Sequence, residues 1–432
     1  MKILELKNTV LSGGIDSALT EKLSVPADKV CAQRERYARA ADEFLALYGD
    51  GEVSLYSVGG RSEISGNHTD HNYGRVIAAS VNLDILAVVK KTDDGVIRVK
   101  SEGFDEDVVL PDAVNAPDEA KFFTSAAIIA GMEKAFLNAG YKIGGFEAYT
   151  TSNVLKGSGI SSSAAFEVMI GNILSHLYND GKVSNVEIAK MSQYVENVYF
   201  GKPCGLMDQT ACAVGGFITI DFADPKNPVI ESSDFDLTSA GYALCIVNTG
   251  GNHADLNEDY ASVPAEMKAV AKKLGVNVLR ETSREALDEL LAKDGKAVRE
   301  ELGDRAIMRA YHFFAENERV AAQVEALKAG DIEAFKAGVT ASGSSSFRYL
   351  QNVYTTKNVQ EQGLSLALCI TEEFLKGTGG VCRVHGGGFA GTIQAFVPAA
   401  LTEAYAAKMN GIFGEGACHI LSVRKAGACR IL

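Results

Sequence analysis

The fold depends on residues 154–168, which read Val-Leu-Lys-Gly-Ser-Gly-Ile-Ser-Ser-Ser-Ala-Ala-Phe-Glu-Val. Residues 144–154 alternate loosely and predict a strand, whereas apolar residues after the stretch recur at helical spacing as far as Tyr178. Gly157 and Gly159 have no Cβ, so they allow a tight turn and a close approach of the backbone to a ligand. The three serines fall where a helix has unpaired N–H groups and the positive end of its dipole. The stretch therefore indicates an anion site that needs no net cationic charge.

The same stretch has a simpler interpretation as an N-capped helix that follows a glycine turn. One hydroxyl suffices for capping, whereas this sequence has three in a row behind two glycines. The stretch also differs from the Walker pattern, which ends in Gly-Lys-Ser/Thr. Taken alone it leaves phosphate binding and capping equally open, and the other motifs have to decide between them.

The composition is typical of a globular protein with more than one core. The chain has 432 residues, of which 47% are hydrophobic and 22% charged, and a chain of this length is expected to form two domains. The net charge of −13 argues against a nucleic-acid or anionic-membrane surface, because both require clustered Lys and Arg. Backbone amides and a divalent cation can nevertheless hold the phosphates of a nucleotide locally.

The cysteines and the N-terminus favour a cytoplasmic location. The eight cysteines are scattered without a Cys-x-x-Cys pair, which is typical of reduced thiols in a reducing compartment. No basic patch followed by an apolar core marks a signal peptide, and no apolar run approaches the ~18 residues that cross a bilayer. We expect a monomer or weak homo-oligomer with no nucleic-acid or membrane partner.

The order of elements predicts an α+β fold rather than a doubly wound one. In the first half, strands are predicted near 55–58, 76–89, 144–154 and 214–222, with 95–99 as the hairpin partner of 76–89, and helices over 28–48, 117–139 and 185–200. The second half has predicted strands near 241–248, 381–385, 391–397 and 420–424, and predicted helices over 258–274, 283–293, 303–328, 331–347 and 358–376. A polar connection over 224–236 places the expected boundary between an N-terminal domain, 1–230, and a C-terminal domain, 231–432.

Residues 11–17, Leu-Ser-Gly-Gly-Ile-Asp-Ser, offer a second candidate phosphate loop. Ser-Gly-Gly-x-Asp-Ser resembles the pyrophosphate loop of adenylating ATP pyrophosphatases. In those enzymes the loop follows a fully buried strand, whereas residues 5–10 are too polar for one. We therefore interpret the segment as a turn between short N-terminal elements.

Four polar, glycine-rich turns stand out, at 59–74, 156–163, 201–209 and 384–391. The last joins two predicted strands through three glycines, more than a hairpin needs, which suggests that another group packs against bare backbone. Together the turns resemble those of the small-molecule kinases named for galactokinase, homoserine kinase, mevalonate kinase and phosphomevalonate kinase. Residues 156–165 are similar to that family's phosphate loop, and residues 385–391 are similar to its third, glycine-rich motif.

Two of these turns resemble the galactokinases within that family. Residues 60–70, Gly-Arg-Ser-Glu-Ile-Ser-Gly-Asn-His-Thr-Asp, resemble the signature Gly-Arg-Val-Asn-Leu-Ile-Gly-Glu-His-Thr-Asp, and residues 204–209, Cys-Gly-Leu-Met-Asp-Gln, closely match Cys-Gly-Ile-Met-Asp-Gln. The resemblance implies a two-domain α+β small-molecule kinase fold with the active site in the interdomain cleft. It also implies an ATP- and Mg²⁺-dependent sugar 1-kinase that acts foremost on galactose.

The resemblance further implies roles for individual residues. Asp208 would accept or orient the proton of the anomeric hydroxyl, and Arg61 would stabilise charge on the transferred phosphoryl group. Glu196 matches the acidic magnesium ligand, and a hydroxyl from Ser162 or Ser163 would complete that site. The sugar would be bound by Asn67, His68, Asp70, Gly205 and Tyr260, and the phosphates of ATP by Lys156, Gly157, Ser158, Gly159, Ser161, Ser162 and Ser163. Simpler interpretations stay open: a salt bridge or turn cap for Asp208 and a solvated helix face for Glu196.

The signature departs from the galactokinases at two charged positions. Asn67 stands where they have Glu, the residue that receives the sugar's C6 hydroxyl, and Glu63 stands where they have Asn. An amide can donate to a C6 carboxylate, whereas a carboxylate would repel it. Asn67 therefore leaves kinases for galacturonate or N-acetylgalactosamine open, while Glu63 has no interpretation from the sequence.

Two hypotheses of other classes complete the set. One is a non-catalytic galactokinase-like sensor that binds sugar and ATP, but the intact serine run argues against it. The other is an adenylating enzyme that uses residues 12–17 and releases pyrophosphate. Among the histidines, we expect His253 and His312 to be ordinary surface or helix residues, and His385 to open the glycine turn.

Overall fold

Two sheets carry the described part of the chain, which in this computed structural model comprises residues 1–111, 116–154, 160–202, 204–233, 235–251 and 256–432. The larger sheet contains β1 (Val53–Ser65), β2 (Arg75–Lys91), β3 (Ile97–Ser101), β4 (Glu106–Val109), β5 (Phe146–Ser152), β6 (Phe217–Asp221), β7 (Val229–Ser233) and β12 (Cys429–Arg430). The smaller sheet contains β8 (Tyr242–Asn248), β9 (Val381–His385), β10 (Thr392–Pro398) and β11 (Cys418–Leu421). Mixed pairing within the larger sheet is typical of an α+β fold.

Helices cover both sheets. In the first half they are α1 (Ile3–Leu11), α2 (Val30–Tyr48), α3 (Ser125–Asn138), α4 (Ser162–Tyr178), α5 (Asn185–Val198) and α6 (Met207–Val214). In the second half they are α7 (Asn257–Lys273), α8 (Arg284–Leu302), α9 (Asp304–Ala329), α10 (Ile332–Ser345), α11 (Gly363–Leu375) and α12 (Thr402–Phe413). Helices α4 and α6 contact β1 and β2, while α10 contacts β9 and β1. Among the described residues, no helix combines the length and the apolar composition needed to cross a membrane.

The two faces of the larger sheet bury different helices because successive side chains along a strand point to opposite sides. On β2, Leu86 and Val88 belong to a cluster with α1 and α2, whereas Ala87 and Val89 belong to the main core. The segment 12–17 follows helix α1 and leads into a short helical turn, so its prediction as a turn between N-terminal elements is confirmed.

The main core joins both halves of the chain. Its buried residues include Ile173 of α4, Phe335 of α10 and Phe396 of β10. Strand β7 spans the expected boundary at residues 230 and 231, and β12 pairs with β1. The division into two domains therefore stays a prediction.

Strand β1 is longer than expected and corrects the first predicted turn. The segment 59–74 was expected as a turn, but β1 continues to Ser65 and all thirteen of its residues are buried. It pairs with β2 from Val53 opposite Lys90 to Ser65 opposite Ile77, with a register shift on each side of residues 61–63. Its polar residues remain in a buried strand because distant segments supply their hydrogen-bond partners.

Other expectations about elements are also wrong. Residues 97–101 pair with β4 and β5, not with β2 as a hairpin, because β5 separates β3 from β2. The expected turn 201–209 contains the start of α6, and the expected polar connection 224–236 contains β7. Helix α12 and strand β12 were not predicted.

Candidate active site

Three turns and one helix meet around a cavity of about 240 Å³. Its walls come from β1 and the turn that follows it, from Lys202 and residues 204–208, from α7 and from the glycine turn after β9. The predicted site residues that line it are Arg61, Asn67, His68, Asp70, Gly205, Asp208 and Tyr260. A larger cavity of about 760 Å³ between α10, α11 and β9 contains none of these residues, so we identify the site by its chemistry rather than by size.

Asp208 and Arg61 form a bidentate ion pair. Asp208 lies in the first turn of α6, where Arg61 Nε donates to its Oδ1 (2.7 Å) and Arg61 Nη2 to its Oδ2 (2.8 Å). The Ser161 hydroxyl also donates to Oδ2. Burial opposes ionisation, yet Arg61 and Ser161 hold the pKa of Asp208 below its usual range. The carboxylate therefore stays ionised at neutral pH.

His68 presents an unused acceptor. Its backbone has a left-handed φ of 58°, which is uncommon for a residue with a side chain. Its Nε2–H donates to the Gly387 carbonyl (2.9 Å), while its buried Nδ1 has no partner among the described residues. Burial lowers the pKa of His68 to about 4, and the neighbouring His71 contributes to this decrease. The neutral ring therefore keeps one nitrogen acceptor unpaired.

Asp70, Gly205 and Tyr260 shape the rest of the cavity. A Cβ on Gly205 would stand 3.2 Å from Asp70 Oδ2, so glycine keeps this carboxylate accessible. The Tyr260 ring lies 5.2 Å from the His68 ring, and a Cβ on Gly387 would come within 2.3 Å of the Tyr260 ring. The glycine turn therefore packs bare backbone against an aromatic side chain, as its composition predicted.

The serine run begins helix α4. Ser161 precedes the helix with a left-handed φ of 58° and makes no side-chain cap hydrogen bond. Its hydroxyl binds Asp208 instead, so Ser161 does not play the capping role that the simpler interpretation of the serine run required. The predicted phosphate-binding residues Lys156, Gly157, Ser158 and Gly159 lie outside the described residues, as does His253.

Ser163 and Glu196 lie together, as a shared magnesium site requires. Glu196 is 2% exposed, which rules out a solvated helix face, and its Oε1 accepts from the Ser163 hydroxyl at 3.3 Å. Adjacent oxygen ligands of Mg²⁺ stand ~3 Å apart, so this pair fits the ion. Lys202, whose side chain is half exposed, also pairs with this oxygen, with its Nζ at 2.7 Å.

Two family models match the sequence around this cavity. The model described as GHMP kinases N terminal domain matches residues 125–216, and the galactokinase galactose-binding signature matches residues 42–91. The galactokinase of Streptomyces coelicolor is 32% identical over 378 residues, which cover 86% of this chain and 92% of that protein. This chain belongs to the galactokinase family. The galactokinase of Clostridium tetani is 29% identical, with 86% and 91% of the two chains covered.

Solved structures of galactokinases and related kinases have the same fold. Lactococcus lactis galactokinase complexed with galactose matches with a TM-score of 0.73 and 24% identity over 90% of this chain and 98% of that one. A mevalonate kinase matches with a TM-score of 0.60 and 15% identity over 87% of this chain and 100% of that one. The expected α+β small-molecule kinase fold is thereby confirmed.

Several buried polar residues near the galactokinase-family site were missed by sequence reasoning. Glu167 of α4 is fully buried, and the Gln209 side-chain amide donates to both Glu167 and Glu196. Burial raises the pKa of Glu167 well above its usual value, and the negative charge of Glu196 adds to this effect. His312 lies in α9, as the helix alternative expected, but it is buried and donates from Nε2 to the Asn67 carbonyl (3.0 Å), so it supports the sugar-signature turn. A charged residue on the apolar face of α4 was the signal that could have identified Glu167.

His385 does more than open the glycine turn. Its Nε2 accepts from the Glu63 backbone N–H at 3.2 Å, and its Nδ1 lies 2.8 Å from the Thr392 hydroxyl. Burial lowers the pKa of His385 to about 3, and the charge of Arg61 contributes to this decrease, so the ring is neutral. It therefore ties β1 to the edge of the smaller sheet.

Proposed function

We propose that this chain phosphorylates the anomeric hydroxyl of galactose with ATP. The observation that carries the proposal is the ionised Asp208–Arg61 pair beside the serine run at the start of α4. Around the same cavity lie His68 and Asp70 of the galactose-binding signature. The relatives named above are galactokinases, and kinases of this family use ATP as the phosphoryl donor.

In the proposed reaction Asp208 orients the sugar hydroxyl and receives its proton late. Each carboxylate oxygen has more than one acceptor site, so a sugar hydroxyl can bind in addition to Arg61 and Ser161. Because its pKa is lowered, Asp208 is a weak base towards the ground-state hydroxyl. Phosphoryl transfer passes through a loose transition state that needs positioning more than early proton removal. A new O–P bond forms at the anomeric oxygen, the bridging P–O bond of ATP breaks, and the proton leaves through Asp208.

The remaining residues would bind the two substrates. His68 Nδ1 and the Asp70 carboxylate would accept from ring hydroxyls, and the sugar would lie against Gly205 and the Tyr260 ring. The N–H groups at the start of α4 would face the phosphates. Ser163 and Glu196 would hold Mg²⁺, which neutralises phosphate charge when bound.

The deciding experiment incubates purified protein with ATP, Mg²⁺ and galactose and follows the products by ³¹P NMR. We expect galactose 1-phosphate and ADP. Pyrophosphate would instead identify an adenylating enzyme, and binding without turnover would identify a sugar sensor. Turnover of galacturonate or N-acetylgalactosamine but not of galactose would identify a kinase for a modified sugar.

We also propose that the protein is cytoplasmic and either monomeric or weakly homo-oligomeric. The net charge of −13 supports the absence of a nucleic-acid partner. Light scattering coupled to size-exclusion chromatography measures the oligomeric state.

A further inference from the structure

Strand β1 directs Glu63 into the same cavity as Arg61. The two residues are separated by one position, and pairing with β2 is regular between them, from Arg61 opposite Ser80 to Glu63 opposite Ala78. Side chains two positions apart on a strand point the same way and stand ~7 Å apart. Both line the cavity that holds Asp208. Glu63 therefore faces a bound sugar at some distance from the hydroxyl that reacts.

The Asn67 side chain is fully occupied by the protein. Its Nδ2 donates to Glu63 Oε1 (2.9 Å) and to the Gly386 carbonyl (2.8 Å). Its Oδ1 accepts from Ser346 Oγ (3.2 Å) and Asn352 Nδ2 (2.7 Å). These four bonds use both donors and both acceptor sites of the amide. A sugar group could bind Asn67 only by leaving one of these buried partners unpaired.

The Glu63 carboxylate, in contrast, keeps one oxygen unused. Oε1 accepts from Asn67, whereas Oε2 has no hydrogen bond to any of the described residues. Arg383 Nη2 lies 3.6 Å from Oε1, and Arg383 is fully buried and anchored by a donated bond to the Ile64 carbonyl. A buried cation behind the carboxylate offsets part of the cost of holding negative charge there. Oε2 is therefore an oriented acceptor at the cavity wall.

We propose that Glu63 determines the sugar specificity of this chain. Its Oε2 accepts a hydrogen bond from a sugar hydroxyl other than the one phosphorylated, and its charge excludes a uronate carboxylate from that place. Relative to the signature quoted above, the carboxylate and the amide have exchanged positions 63 and 67 while remaining in contact. The neutral residue at 67 thus does not open the site to anionic sugars. This inference depends on the proposed sugar kinase activity.

The test compares wild type with Glu63→Gln on galactose, its 2-, 3-, 4- and 6-deoxy analogues and galacturonate. A hydrogen bond to a charged acceptor is worth enough that its loss raises KM for galactose about tenfold, with kcat within about twofold of wild type. One deoxy sugar, which lacks the hydroxyl bound by Glu63, should show no change in KM. Turnover of galacturonate should be absent in wild type and gained in the variant.

Two further variants separate specificity from folding. The double exchange Glu63→Asn with Asn67→Glu keeps one carboxylate in contact with one amide, but it should not restore the wild-type order of preference, because the acceptor that faces the sugar belongs to residue 63. Glu147→Gln removes a partly buried glutamate that pairs with Lys90 on the same sheet but outside the cavity, and it should leave every KM unchanged.

Defined results would overturn the inference. An equal rise in KM for galactose and every deoxy analogue would show a structural role only, and an unchanged KM for galactose would show no role. Turnover of galacturonate by the wild-type protein would refute the proposal that the charge of Glu63 excludes uronates. If wild type phosphorylates no sugar at all, the proposed function fails first; if it phosphorylates galactose and Glu63→Gln behaves like Glu147→Gln, only this inference fails.

Discussion

Among the described residues, Asp208 and Asp16 each form a bidentate ion pair with an arginine near a glycine- and serine-rich segment, but Asp208 and Arg61 line the active-site cavity whereas Asp16 and Arg34 do not. Asp208 pairs with Arg61 at the meeting of β1, α4 and α6. Asp16 pairs with Arg34 in the N-terminal turn, where Arg34 Nε donates to Asp16 Oδ1 at 2.6 Å. Both aspartates have a lowered pKa, Asp208 against the effect of burial and Asp16 mainly through its hydrogen bond to Arg34. The ion pair alone therefore does not identify a reactive aspartate, because its surroundings decide whether it can do chemistry.

Neutralising each aspartate in turn should have very different consequences for catalysis. Asp208→Asn should lower kcat about 10³-fold, because the amide cannot receive the proton of the sugar hydroxyl. Asp16→Asn should leave kcat unchanged. Rates of ADP formation with galactose measure both, and ATP affinity from calorimetry should be similar in the two variants. Equal activity in both variants would refute the assignment of Asp208, and loss confined to Asp16→Asn would favour the adenylating enzyme.

The comparison can be extended to two glutamates of α5. Glu196 is buried beside Ser163, whereas Glu187 is in an exposed capping box with Ser184. Glu196→Gln should raise the Mg²⁺ concentration for half-maximal rate about tenfold, since a carboxylate ligand becomes neutral.

Glu187→Gln is the matched control, because Gln also satisfies a capping box. It should leave the Mg²⁺ dependence unchanged. An identical Mg²⁺ titration for Glu196→Gln would contradict the predicted metal site.

A fall in pH should have a modest effect on sugar binding, and it should act through Glu63 rather than through Asp208. Burial raises the pKa of Glu63, and Asp70 adds to this, although Arg383, Arg61 and Asn67 act in the opposite direction. Glu63 is therefore protonated at a higher pH than an ordinary glutamate. As a result, KM for galactose should rise a few-fold as the pH falls from neutral into the mildly acidic range. Asp208 stays ionised over this range, and His68, with a pKa of about 4, stays neutral.

Initial-rate kinetics across this range measure the effect, with Glu63→Gln as the reference. The variant should show a flat KM because its amide does not titrate. A wild-type KM that is equally flat would contradict the raised pKa of Glu63.

Local patterns were enough to predict much of the fold. The strand, glycine loop and helix over 144–178 depend on periodicity and turn chemistry within one segment, and the structure has β5 and α4 there. The pairing of β3 was predicted wrongly because its partner β5 is brought in from outside the predicted hairpin. Polar β1 was mistaken for a turn because its partners are remote; Ser62, for example, lies 3.1 Å from the ring of His385.

The candidate site was predicted in part for the same reason. The family resemblance picked out Asp208, Arg61, His68 and Asp70 from short contiguous motifs, and the structure brings them to one cavity. Glu63 could not be interpreted from the sequence, because its role depends on the hydrogen bonds that occupy Asn67. Those hydrogen bonds come from residues far along the chain. No local pattern carries that information.

The contact between Glu63 and Asn67 also couples the two positions, so that neither can be exchanged independently for the residue of the galactokinase signature. Reversing residue 67 alone would set two carboxylates against each other where 2.9 Å now separates amide and acid, and like charges at that distance cannot both ionise. Reversing residue 63 alone leaves two neutral amides and no negative oxygen. Of the two single exchanges, only the one at residue 63 therefore avoids setting like charges against each other.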